Sequence, residues 1–208
     1  MSYTAVQICA NALVRLGASP IQSFTEGTDI ATSCSSIYNF KKDYMLSVYP
    51  WNFTKKFAQL SRLTAAPTAQ WKYQFALPAD KTMAGMIAVF TSASVGALPI
   101  QDYTLVGNVL MCDQTALYVE YQADVDESLW SPYFVELMVN VMMVELSFLV
   151  TDNASLRQEL NTMTYGVPSE FGVGGVYGKA MQLDSRDNPT VQILDDILLE
   201  ARFGGGAI

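Results

Sequence analysis

Side chains able to do acid–base, metal or nucleophilic chemistry are sparse in this chain. It has no histidine, which removes the commonest general base, the triads built on it and most transition-metal sites. Asp124, Asp126 and Glu127 form the one acidic cluster between predicted elements, the kind of grouping that a divalent ion or a hydrolytic carboxylate pair requires. The calcium-loop pattern is absent, since no glycine follows at its sixth place and no glutamate at its twelfth. The cluster reads more simply as a turn of solvated carboxylates ahead of a helix, where negative charge is favourable. The run Gly172-Val173-Gly174-Gly175-Val176-Tyr177-Gly178 invites a nucleotide site but fails on spacing. Tyr177 stands where the dinucleotide pattern wants its third glycine, and no Lys-Ser or Lys-Thr follows. The loop reads instead as an irregular surface segment whose Val167, Phe171, Val173 and Tyr177 are available to dock on a partner. Cys9, Cys34 and Cys112 are distant in sequence, odd in number and set in apolar contexts, which predicts buried, reduced thiols. Tyr49, Trp51, Phe53 and Phe57 read as core rather than as a sugar-stacking platform. No catalytic residue, cofactor or metal is indicated.

What positions these residues is an apolar chain. Half of the 208 residues are hydrophobic and only 15% are charged, which excludes disorder as the main state and predicts a single domain with a real core. Little charge leaves much uncharged surface, as suits a subunit of an assembly. The net charge of −8 argues against gripping nucleic acid through its phosphates. The doublets Lys41-Lys42 and Lys55-Lys56 read as solvated faces. The start, Met1-Ser2-Tyr3-Thr4, has no basic stretch ahead of an apolar run, so no secretory signal is expected.

The organising stretch is 130–152. Ser131 and Pro132 signal a helix start, Asp152 and Asn153 its end, and almost every residue between is apolar. A helix apolar all round is buried or spans a membrane. Glu136, Asn140 and Glu145 interrupt the run, with Glu145 on roughly the opposite side from Glu136 at about 100° per residue, and charges facing lipid on both sides are costly. The expectation is therefore a central helix packed on all sides, partly by neighbouring copies, and no membrane span.

Around it, apolar spacing predicts a helix over 4–16 ended by Gly17, a connection anchored by Ile21 and Phe24, and a helix capped by Thr28 and stopped by Pro50. From Phe53 the period changes to strands: Phe53 to Leu60, Trp71 to Leu77, 83–91, 103–106 and 109–112 joined by a Gly107-Asn108 hairpin, and 117–121. These make one mostly antiparallel sheet of about five or six strands. A helix over 154–163 carries Leu156, Leu160 and Met163 on one face. The glycines of 165–178 break it, helix resumes over 179–183, and Asp184 begins a polar break. Residues 191–203 place Val191, Leu194, Ile197, Leu198 and Ala201 on one stripe ahead of Gly204. The fold class is thus α+β: a helical bundle around a long apolar central helix, with an inserted, mostly antiparallel β-sheet region. The chain 1–208 is one domain, with a helical part at 1–50 and 130–190, a β-rich part at 51–123 and a tail at 191–208.

Ala12-Leu13-Val14-Arg15-Leu16-Gly17-Ala18-Ser19-Pro20-Ile21 with Ser23-Phe24, then the helix running into Tyr49-Pro50-Trp51-Asn52-Phe53, the Tyr73-Phe75-Leu77-Pro78 strand end and a closing Leu199-Glu200-Ala201-Arg202 resemble the head-to-tail adaptors of tailed bacteriophages, the tail tubular protein A group. The likeness covers most of the chain and carries no catalytic signature; the glycine-rich insert departs from the continuous helix pair expected there. The resemblance implies a structural virion protein, not an enzyme: a homo-oligomeric ring of twelve copies bound to the portal protein and to the tail nozzle protein, assembled in the host cytoplasm. Double-stranded DNA would pass through the ring without specific binding. Val167, Phe171, Val173, Tyr177, Val191, Leu194, Ile197, Leu198 and Phe203 are then the candidate interface residues. Two readings from other classes stand beside it: a tail-associated polysaccharide hydrolase, which needs paired carboxylates in a cleft, and a small-molecule binding module with a pocket lined by the aromatic strands.

Overall fold

A computed structural model describes residues 3–67, 70–94, 96–170 and 173–187. Among the described residues, five α-helices and two antiparallel sheets make a mixed α+β fold.

The helices begin and end where local chemistry directs. Helix α1 (Ala5–Arg15) opens with a capping box in which Thr4 and Gln7 exchange side-chain and backbone bonds, and it buries Ile8, Cys9, Ala12 and Leu13. Helix α2 (Asp29–Ser47) is capped by Thr28 through the Ala31 N–H. Its apolar residues exceed what one face can bury: Cys34, Tyr38, Met45 and Leu46 go inside, while Phe40, Tyr44 and Val48 stay exposed. Helix α3 (Pro132–Thr151) starts on Pro132, but the Ser131 side chain makes no capping bond. The Ser131 carbonyl instead accepts from the N–H groups of Phe134 and Val135. Asp152 ends α3 in the left-handed region, and Asn153 caps α4 (Ala154–Tyr165) through the Leu156 N–H.

Helix α3 packs against α1, α2, α4 and α5 (Gly175–Ser185). Long and apolar enough to cross a bilayer, it nevertheless has 67% of its most apolar window buried within this one chain. Its two carboxylates, on opposite sides as expected, each fix a neighbour. Glu136 takes a bidentate pair from Arg15 of α1 at 2.6 and 2.8 Å, and Asn140, one turn on, donates to the Glu136 carbonyl and carboxylate. Glu145 pairs with Lys41 of α2 at 2.7 Å and lies 3.8 Å from Arg157 of α4.

The β-rich part departs from the predicted single sheet. Strands β1 (Lys55–Gln59), β7 (Tyr118–Ala123) and β4 (Lys81–Phe90) form one sheet in the order β1-β7-β4. Strands β2 (Ser61–Arg62), β3 (Tyr73–Ala76), β6 (Val109–Cys112) and β5 (Thr104–Val106) form a second, in the order β2-β3-β6-β5. The chain crosses between them at Leu60, which is buried and gives its N–H to Leu117 before Ser61 starts pairing with Ala76. The β5–β6 hairpin turns at Gly107-Asn108 as predicted, with Gly107 at φ +59°. Phe53 belongs not to a strand but to a 3₁₀ turn, Asn52–Thr54, held by Thr54 bonding back to the Trp51 carbonyl. Nor does β3 alternate cleanly, because Gln74 is buried and donates to the Ala65 carbonyl.

Two further corrections concern the last helices. Leu160 and Thr164 are the buried residues of α4, while Met163 is exposed, so the inward row runs at four-residue steps from half-buried Leu156. Helix α5 begins at Gly175 rather than 179, with Gly178 inside it and Asp184 in its last turn rather than in a polar break.

Helices and sheets meet at an aromatic cluster. Trp51 is fully buried, packs edge-on to Phe134 at 4.8 Å and to Tyr177 at 6.3 Å, and donates its indole N–H to the Met45 carbonyl at 2.8 Å. Asp184, also fully buried, accepts the Asn52 N–H at 3.1 Å and the Tyr133 hydroxyl at 2.6 Å, tying α5 to the 3₁₀ turn and to the start of α3. Burial, and then the bond to Asp184, push the Tyr133 hydroxyl up to about 12. Replacing Asp184 with Ala leaves two donors without their acceptor, and we expect a loss of about 2–4 kcal/mol in urea unfolding; Asp184→Asn, which keeps an acceptor oxygen, is expected to lose less.

Candidate functional site

Backbone approach explains why glycine stands where a helix begins. A Cβ on Gly175, which sits at φ +57°, would meet the carbonyls of Met163 and Thr164, and one on Gly178 would meet the carbonyl of Val173. Gly175 thus lets the start of α5 pass against the end of α4, and Gly178 lets the loop before α5 fold back on its first turn. Local propensity alone reads them as breakers. The concavity left by Gly166 and Gly174 holds the carboxylate of Glu170, which accepts the Val167 N–H at 2.9 Å. The chain supplies its own anion there, close to a helix N-terminus, so no phosphate is needed to satisfy it.

The interface residues proposed for this loop divide. Val167 and Val173 are exposed. Tyr177 is buried edge-on to Trp51 and Tyr165 and is a core residue, not one offered to a partner. Phe171, Val191, Leu194, Ile197, Leu198 and Phe203 lie outside the described residues. A surface that sequence reasoning passed over is α2. Phe40, Tyr44 and Val48, at successive four-residue steps, form an exposed apolar ridge, and Phe40 is 69% exposed. Phe148 and Leu149 at the end of α3 are also exposed.

The acidic turn at 124–128 is tied down rather than fully solvated. Asp126 accepts the Ser128 N–H and starts a short 3₁₀ turn, Glu127–Leu129. Glu127 takes the Tyr38 hydroxyl at 3.2 Å and lies 3.8 Å from Lys42, which is 3.5 Å from Asp124. Burial, with Glu127 alongside, pushes the Tyr38 hydroxyl far up.

Beside this turn, a cleft of about 410 Å³ is lined by Asp43, Asp80, Lys81, Thr82 and Asp124. It is where a carboxylate pair for hydrolysis would sit. Asp80, however, binds Lys56 at 2.7 Å and accepts the Tyr121 hydroxyl at 3.0 Å. The Lys56 ammonium holds its carboxyl below the usual carboxylate range, the opposite of what a proton donor to a leaving group needs. Among the described residues no group of three or more Cys, Asp or Glu side chains is placed to hold a metal ion. Cys9, Cys34 and Cys112 are buried and free; the bond between Cys9 and Cys34 pushes the Cys9 thiol up and the Cys34 thiol down, and all three, at 0% exposure, lie out of reach of a substrate.

Gly178→Ala forces a Cβ into the Val173 carbonyl, and we expect a loss of roughly 2–3 kcal/mol, seen as a lower Tm. Acid stability is the second measurement. Arg15 holds Glu136 low as Lys56 holds Asp80 low. Carboxyls depressed in the folded state stabilise it above their unfolded pKa, about 4, and that contribution is lost as pH falls through the folded values. Lys56→Met should therefore flatten the fall in Tm below about pH 4; an unchanged slope would contradict the assignment. No protein-family model matches the chain, and no curated protein matches it.

Proposed function

We propose that this chain is a structural virion protein: a head-to-tail adaptor whose copies, twelve in the ring, join the portal to the tail nozzle and form part of the channel through which DNA is ejected. In this reading the helices form a bundle around α3 and pack between neighbouring copies at the head–tail junction. The two sheets face the nozzle, and the tail at 191–208 reaches toward the portal. The net charge of −8 keeps the channel poorly adhesive to passing DNA.

The observation that carries the reading is the apolar ridge Phe40-Tyr44-Val48 on α2. Helix α3 is covered along most of its length by its own chain, so neighbouring copies are not needed to bury it. The ridge, with Phe148 and Leu149 at the end of α3, is the exposed apolar surface that the helical part offers to them. Exposed aromatic and aliphatic side chains spaced at helical steps suit the core of a subunit interface.

The polysaccharide-hydrolase reading draws on the aspartates of the cleft between α2 and β4. It is the weaker of the two, because Asp80 is already paired with Lys56. Electron microscopy of the purified chain mixed with the portal ring of the phage that encodes it is expected to reveal a twelve-fold layer added to the portal. Phe40→Ser with Tyr44→Ser should abolish that layer while leaving the monomer's circular dichroism unchanged. Failure of the wild-type chain to bind the portal, or hydrolysis of an envelope polysaccharide by the isolated protein, would overturn the proposal.

A further inference from the structure

The three-stranded sheet carries an aromatic floor that neither the core nor the adaptor reading uses. Phe57 of β1 is paired across the ladder with Glu120 of β7, and Tyr118 of β7 with Phe90 of β4. Partners directly opposite each other, and residues two apart on a strand, share one face, so all four side chains lie on the same side of the sheet. Phe57 is 53% exposed, and its ring lies within 11° of parallel to that of Tyr118, centroids 6.0 Å apart; Phe90 is 5.9 Å from Phe57. The segment after β4 walls one side, where Ser94 gives its N–H to the Ser92 hydroxyl at 3.1 Å and the two hydroxyls lie 2.8 Å apart. The cleft between floor and wall measures about 260 Å³, and Glu120 lines it. Glu120 is half-buried and belongs to none of the ion pairs among the described residues.

We propose that this floor docks an arginine side chain of a partner protein, its guanidinium lying flat on the exposed ring of Phe57 and its N–H groups bonded to Glu120, which stands directly opposite Phe57 in the ladder and lines the same cleft. Three features select that guest. The exposed Phe57 ring, backed by Tyr118, presents an electron-rich face to a cation. Of the two side chains charged throughout the neutral range, only the guanidinium of arginine is planar and stacks while directing donors sideways to a carboxylate; the ammonium of lysine does not. The chain's net charge of −8 draws basic surfaces toward it. A pyranose would also stack on the rings, but its ring of hydroxyls asks for several polar partners. Here the two serine hydroxyls are already bonded to one another. The inference stands independently of the adaptor reading, since it concerns what this face binds and not whether the chain forms rings.

The test is titration of the full chain with N-acetyl-arginine methylamide, followed by amide NMR. Saturable shifts centred on Phe57, Phe90, Tyr118 and Glu120 are expected, with Glu120→Gln weakening binding about tenfold and Phe57→Ala about fivefold. The corresponding lysine derivative should bind several-fold more weakly. The undisturbed remainder of the spectrum reports that each variant is folded. Absence of a saturable shift, unchanged affinity in Glu120→Gln, or methyl glucoside moving these residues where the arginine derivative does not would overturn the proposal.

Discussion

Trp51 is the side chain on which the two halves of the molecule converge. Its ring is buried against Phe134 of α3 and Tyr177 of α5, while its N–H is taken by the carbonyl of Met45 near the end of α2. An indole is a large apolar body with one polar handle, and it is favourable in a core only where that handle finds an acceptor. Helix α2 frees such an acceptor because it ends at Ser47, ahead of Pro50, leaving late carbonyls without helical partners. Asn52, one residue on from Trp51, is then locked by Asp184. On the sheet side, Gln122 reaches the carbonyls of Leu46 and Tyr49 and the Thr54 hydroxyl. The five residues from Met45 to Tyr49 and the turn after them therefore hold α3, α5 and β7 in one place.

Much of the helical part was legible from local signals. The cap at Thr28, Pro132 at the start of α3, the stop at Asp152 and the opposed Glu136 and Glu145 are all short-range features, and short-range physics decides them. The division of the β-region was not legible. Leu60 looks like any other apolar strand residue, and only its distant partner, Leu117, reveals that the ladder ends there. Asp184 misled for the same reason. Within a polar run it reads as solvated, but its donors are 51 and 132 residues away. The glycines of α5 read as breakers by propensity, whereas close backbone approach, to α4 at Gly175 and to Val173 at Gly178, decides their place. On α2, apolar residues crowd too wide an arc for sequence to choose among them, so the exposed ridge emerged only once Tyr38 and Met45 were seen to take the inside. Of the candidate interface, Val167 and Val173 fit a surface role and Tyr177 does not.

The coverage of α3 bears on how assembly would be powered. A helix this apolar, left half open, would bind copies of itself indiscriminately. Closed over by α1, α2, α4 and α5, it leaves only Phe148 and Leu149 of its own large apolar side chains exposed. In the proposed ring, contacts through so few side chains would be weak pairwise, and closure or a partner surface would add them together.

The crossing at Leu60 has an evolutionary corollary. Adding one residue to a strand normally turns every following side chain to the opposite face. Here the first two residues past the crossing, Ser61 and Arg62, are both exposed and constitute the whole of β2. A codon inserted or deleted just after Leu60 would therefore disturb an edge of two residues and leave the ladder between β1 and β7 in register. Length polymorphism among descendants of this chain should accumulate at that corner before it touches either β1 or β3.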